Sequence, residues 1–129
     1  MNIGEAAERS GLPAKTIRYY EEIGLVKPAR ASNGYRNFVE NDIHRMKFLH
    51  RSRGLGFSVE NCRALLALYD DKHRASADVR SLAKMHLFKI DRKISELEEL
   101  RGTLSRLIAA CQGNERPDCP ILSDLAGEK

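Results

Sequence analysis

Cys111 and Cys119 flank a seven-residue loop that contains Gly113 and Pro117, and Pro120 follows directly. A loop of this kind can bring two sulfurs to opposite sides of one ion. Thiolates are soft ligands, and a pair of them suits Cu(I), Ag(I) or Au(I), which accept linear two-coordination. Structural Zn(II) asks for four ligands, and nothing near this loop completes a CxxC-type set. A disulfide switch fits the same spacing, and so does a pair with no joint role; spacing alone leaves the three readings open. The third cysteine, Cys62, lies on the apolar face of a helical segment and reads as a core thiol. His44, His50, His73 and His86 share no ligand spacing and read as surface or interdomain side chains. Three cysteines are too few, and odd, for a disulfide scaffold, which points to a reducing cytoplasm. Enzyme chemistry is not expected, because there is no CxxC motif, no nucleophile–base pairing and no phosphate-binding glycine loop.

The loop must be held by what precedes it. Residues 77–110 contain no proline and one glycine. Alternating steps of three and four pick out Ala83, Leu87, Ile90, Ile94, Leu97, Arg101, Leu104 and Ile108, and seven of these eight are apolar, a heptad seam. A helix of that extent is ~50 Å long at about 1.5 Å per residue. It cannot bury its seam against a small head, so a coiled coil with a second copy, a homodimer, is expected. Ser76, just ahead of it, reads as the helix N-cap.

The net charge of +4 has a location. Residues 1–56 hold 10 Lys/Arg against 6 Asp/Glu, while residues 57–129 hold 12 of each. A basic module joined to a neutral one points to a polyanion. Within it, residues 2–10 read as a short helix with Asn2 as N-cap, and Ser10-Gly11-Leu12-Pro13 as a tight turn. Residues 13–23 read as a second helix ended by Gly24. Ala7, Gly11, Leu12 and Ile17 have the spacing of a helix-turn-helix. Asn33-Gly34 signals a hairpin wing of about three residues a side. Two further helices, over 40–53 and from Ser58 to about Tyr69, complete a mainly α chain. The winged arrangement argues for duplex DNA. Lys15, Thr16, Arg18 and Tyr19 would enter the major groove, and Tyr35 and Arg36 would meet phosphates. Tyr19 or Tyr20 could equally belong to helix packing, and Arg18 could be a solvated surface charge. No apolar run approaches the roughly 18 residues of a membrane span, and no signal peptide is evident, so no membrane partner is expected.

Thr16-Ile17-Arg18-Tyr19-Tyr20-Glu21-Glu22-Ile23-Gly24-Leu25, then Asn33-Gly34-Tyr35-Arg36, then Leu55-Gly56-Phe57-Ser58, closely resemble the MerR family of transcriptional regulators in order and spacing. The resemblance implies a homodimer joined by an antiparallel coiled coil on double-stranded promoter DNA with an overlong spacer. The effector-bound dimer then distorts that DNA so that RNA polymerase engages both of its elements. Cys111 and Cys119, with Asp118 and Pro120, resemble the metal loop of the family's copper(I)-sensing, CueR-like branch, which implies activation of copper-resistance or efflux genes. Arg74-Ala75-Ser76-Ala77-Asp78-Val79 matches the monovalent form, in which the position taken by Cys in sensors of divalent ions is Ser76. A bis-thiolate around a +1 ion keeps a charge of −1, which backbone amides and a helix N-terminus can stabilise. Ser76 is thus a selectivity residue and not a direct ligand. The rival reading is a thiol-redox regulator of the same family. The expected division is a winged helix-turn-helix over residues 1–70, a hinge and dimerisation helix over 71–110, and a metal loop and tail over 111–129. That leaves no room for an organic-effector domain, and no Cys/His-rich extension follows Leu125.

Overall fold

In the computed structural model, residues 1–127 are described. Helix α1 (Ile3–Ser10) starts where the Asn2 side chain accepts the Glu5 amide at 2.8 Å. It stops at Gly11, whose φ of +82° is a left-handed conformation that L side chains resist. A Cβ at Gly11 would also come within 3.4 Å of the His50 ring. The buried Ser10 hydroxyl accepts the Leu12 amide at 3.2 Å and tightens the same turn.

Helix α2 (Ala14–Glu22) begins one residue later than the sequence suggested. Pro13 has φ −61°, which suits a helix, but ψ 146°, which leaves it extended in the N-cap position. Both Leu25 and Val26 donate their amides to the Tyr20 carbonyl, at 2.8 and 3.2 Å, and turn the chain out of α2.

The wing is shorter than expected. Strands β1 (Ala29–Arg30) and β2 (Arg36–Asn37) pair antiparallel with Arg30 opposite Arg36. Gly34 takes φ +85° and its amide closes on Ala31 O at 2.9 Å, while among the described residues no non-glycine has positive φ. The Asn33-Gly34 signal therefore acts in a longer loop, through Gly34 and through the Asn33 side chain, which accepts the Tyr35 amide at 3.1 Å, and that loop uses up residues otherwise free to pair.

Helices α3 (Glu40–Gly54) and α4 (Val59–Asp70) close the head. The Asp42 carboxylate accepts the Val39 amide at 2.9 Å and the Ser58 hydroxyl accepts the Asn61 amide at 3.1 Å, one at each helix start. The core gathers Ala6, Leu12, Ile17, Tyr20, Phe38, Ile43, Met46, Leu49, Cys62 and Leu66 from the four helices and the segments that connect them. Bridging the periphery, Arg9 grips Glu40 through two nitrogens and Arg45 reaches Asp70.

Helix α5 runs over Ser76–Ala110, 35 residues, and buries none of them. Ser76 is the first residue of this helix, so the N-cap reading is corrected. The Asp78 amide bonds to the Ala75 carbonyl at 3.1 Å, which sets the first turn one residue earlier. Leu82 packs on the head core, and the first of two compact units is Met1–Leu82. The second begins at Ala83. In it the seam stands in the open: Leu87, Ile94, Leu97, Leu104 and Ile108 are all about half exposed or more. Covering what remains exposed of each is worth about 1 kcal/mol, roughly half the value for burying a whole side chain. A last short helix, α6 (Pro120–Leu125), was not foreseen. Its signal is Pro120 at the first helical position with Ile121, Leu122 and Leu125 apolar after it. No helix of the described residues is long and apolar enough to cross a membrane.

Candidate metal loop and DNA-facing surface

The end of α5 and the start of α6 bring the two thiols together. The Cys111 amide still bonds back to Leu107 and Ile108, so its side chain is carried by the last helical turn. Gly113, at φ +64°, then reverses the chain. Asn114 stiffens the loop by accepting the Arg116 amide at 2.9 Å and donating to the Gln112 side chain at 3.0 Å. Cys119 occupies the N-cap of α6 with an extended backbone.

The result is a Cys111 Sγ to Cys119 Sγ distance of 3.7 Å between two free, half-buried thiols. The Leu122 amide holds the Cys119 thiol below its ordinary pKa, partial burial opposes this, and Cys111 and the Ile121 amide add to it. A thiolate at the open end of a helix is favoured for the same reason as any anion there. The amides at the start of α6 therefore favour a thiolate at Cys119.

A disulfide needs its sulfurs at about 2.05 Å. Two thiolates on opposite sides of one ion, each at ~2.3 Å, need roughly 4.6 Å. The observed 3.7 Å lies between the two. Small side-chain rotations reach the wider value, so the donor set fits a two-coordinate ion. A tetrahedral ion would need more donors, and among the described residues no group of three or more His, Cys, Asp or Glu is placed to hold one.

On the head, α2 separates its two faces cleanly. Ile17 and Tyr20 are in the core, Lys15, Arg18 and Tyr19 are exposed, and Thr16 is half-buried. Tyr20 is thus the packing tyrosine and Tyr19 the available one. Positions 15, 18 and 19 share a face because residues three and four apart are helical neighbours. At the wing tip Tyr35 is 74% exposed.

Arg36 is different. Its Nε donates to Glu21 Oε2 at 3.0 Å, and Arg30 Nη2 donates to the other oxygen of the same carboxylate at 2.7 Å. Glu21 and Arg30 went unnoticed in the sequence because their pairing joins a helix to a hairpin, and no spacing rule covers that. Cys62 is fully buried, with its thiol pushed up by burial, as a core cysteine should be.

Two family models match the chain. One described as "MerR HTH family regulatory protein" spans residues 1–69, and one described as "MerR, DNA binding" spans residues 43–107. Over 126 residues, 98% of both proteins, the sequence is 68% identical to the HTH-type transcriptional regulator HmrR of Rhizobium leguminosarum bv. viciae. It is 41% identical over 128 residues to the HTH-type transcriptional regulator CueR of Salmonella typhimurium, covering 98% of this chain and 93% of that one. The crystal structure of PbrR691 from Ralstonia metallidurans CH34 in complex with lead(II) aligns with a TM-score of 0.85 at 30% identity, covering 97% of this chain and 98% of that one.

Proposed function

The chain belongs to the MerR family of helix-turn-helix transcription regulators, and from that premise we propose that it activates copper-resistance or efflux genes on binding Cu(I), with Ag(I) and Au(I) as alternative ions. It is a DNA-binding, metal-responsive regulator. The choice of a monovalent ion rests on one observation above the rest. Two half-buried thiols lie 3.7 Å apart with Cys119 already biased toward thiolate.

Cys111 and Cys119 are the ligands in this reading. Bound Cu(I) supplies one positive charge that joins the two thiolates. The −1 left over is stabilised by the amides at the start of α6. A third thiolate would add charge that only a divalent ion offsets, and Ser76 stands where such a thiolate would come from. Ser76 opens a helix ~52 Å long at about 1.5 Å per residue, and Cys111 follows its end. Ser76 therefore meets a metal loop only across an antiparallel homodimer, whose seam is the exposed row on α5. Lys15, Thr16, Arg18 and Tyr19 contact the bases and backbone of the promoter, and Tyr35 and Arg36 its phosphates. RNA polymerase is the partner that uses the distorted DNA. The labour divides into DNA binding by residues 1–70, dimerisation by 71–110 and sensing by 111–129, in the cytoplasm.

Anaerobic titration of the reduced protein with Cu(I) under a strong competing chelator, followed by transcription in vitro, tests this. One tightly held ion per loop and metal-dependent transcription are expected. The 3.7 Å separation also favours a second reading, a thiol-redox regulator. Absence of tight binding, together with a reversible Cys111–Cys119 disulfide that switches transcription, would overturn the metal reading in its favour.

A further inference from the structure

The wing carries a like-charge pair that the fold resolves in a specific way. Arg30 and Arg36 face each other across β1 and β2, an arrangement that is destabilising in an isolated hairpin. Glu21, on α2, places one carboxylate oxygen on each: Oε1 on Arg30 Nη2 at 2.7 Å and Oε2 on Arg36 Nε at 3.0 Å. Its side chain is only 19% exposed, so this carboxylate is partly withdrawn from water and screened less than a surface ion pair. Arg30 also donates its Nη1 to Gly34 O at 3.0 Å, in the turn of the wing. Both terminal nitrogens of Arg30 are thereby engaged within the protein. Arg36 gives Glu21 only its Nε, and among the described residues no other bond of its guanidinium is recorded.

The geometry assigns Glu21 the role of a positioning residue that locks the wing to the recognition helix, so that both meet DNA as one body, with Arg36 aimed through its Nε while Arg30, though the more exposed of the two, has both terminal nitrogens occupied. The sequence singles out Arg36 but gives no role to Arg30; the carboxylate makes Arg30 a brace and leaves Arg36 as the phosphate ligand. An acidic residue on a DNA-facing element otherwise only lowers affinity. Here it exchanges non-specific attraction for a fixed bite. The inference rests on DNA binding through α2 and the wing, which the wild-type protein's own titration checks separately.

The test uses the full chain. Wild-type protein first enriches a duplex from a random-sequence pool. That duplex and poly(dI-dC) are then titrated with wild type, Glu21→Gln and Arg30→Gln over a range of salt. Glu21→Gln should lower the specific-to-non-specific affinity ratio by about tenfold or more, while the salt slope steepens by about 1 per head as Arg30 joins Arg36 on the phosphates. Arg30→Gln should lower the ratio by a smaller factor without flattening the slope, since Arg30 makes no phosphate contact in the wild type. In the free protein, the Arg36 Nε–H signal in NMR should exchange at least about tenfold faster in Glu21→Gln, with core amides unchanged. A purely structural role would lower both affinities together and leave the slope alone, which overturns the proposal. So does a Glu21→Gln protein with wild-type ratio, slope and Nε–H exchange on the same duplex. If the wild type enriches no duplex, DNA binding itself fails and the clamp falls with it.

Discussion

The DNA-binding head and the thiol loop hold their functional groups by opposite means. In the head the α2 side chains proposed to face DNA stand on a helix whose other face is in the core. Ile17 and Tyr20 anchor α2 from below, and Phe38, directly after β2, is buried in the same core. In the loop no residue is buried, and the sulfurs are placed by one helical end, one glycine turn and the amides of a short helix. A site held by a core is rigid and its failure is global. A site held by local bonds can change geometry by an ångström without disturbing anything else, which is what a sensor of one ion requires.

The sharpest way to break this contrast is to delete a sulfur. Cys111→Ser or Cys119→Ser should abolish metal-induced transcription to the uninduced level while leaving DNA affinity in gel-shift titration within about twofold. Loss of DNA binding in both would show that the regions are not separable. Next in size is a core truncation: Leu49→Ala should destabilise the head by about 2–5 kcal/mol, whereas Asn114→Ala in the loop should stay within about 0.5 kcal/mol, both read by denaturant unfolding. Arg18→Ala should then cost about 1–3 kcal/mol of promoter affinity with thermal stability unchanged; equal weakening on every duplex would make it a phosphate contact instead. Ser76→Cys should widen the response to Zn(II) or Hg(II) in a reporter assay, and no gain would count against the charge argument.

The gentlest test compares two thiols. Cys119 has a lowered pKa and Cys62 a raised one. The Cys119 thiolate is favoured in the fold, so its stabilisation is present above the ordinary thiol pKa of about 8.5 and is lost as pH falls through the lowered value. Burial of Cys62 acts the other way, and stability should fall as pH rises past that ordinary value. Alkylation mapped by mass spectrometry should reach half-rate for Cys119 below the ordinary thiol pKa, with Cys62 unmodified until the head unfolds.

Much of this was legible in the chain itself. Glycines at 11, 24 and 34 mark reversals, and the heptad spacing marks α5, because backbone conformation and helical period are local properties. The Cys111–Cys119 pair was legible for a related reason: a short loop limits how far its ends can part. Pro13 and Ser76 were misplaced by one residue, since the first hydrogen bond of a helix depends on ψ and on neighbouring carbonyls more than on residue type. Helix α6 escaped notice because six residues carry too little periodicity.

The sequence by itself determined the order of the elements as far as α5, the location of the positive charge and the pairing of Cys111 with Cys119 across a short loop. Only the tertiary structure decided which tyrosine of Tyr19-Tyr20 enters the core, how Glu21 divides its two oxygens between Arg30 and Arg36, and how Cys119 is biased toward thiolate. Each of those turns on groups brought together by packing or by a turn, and electrostatics between such groups follows distance in space, which residue spacing along the chain does not supply.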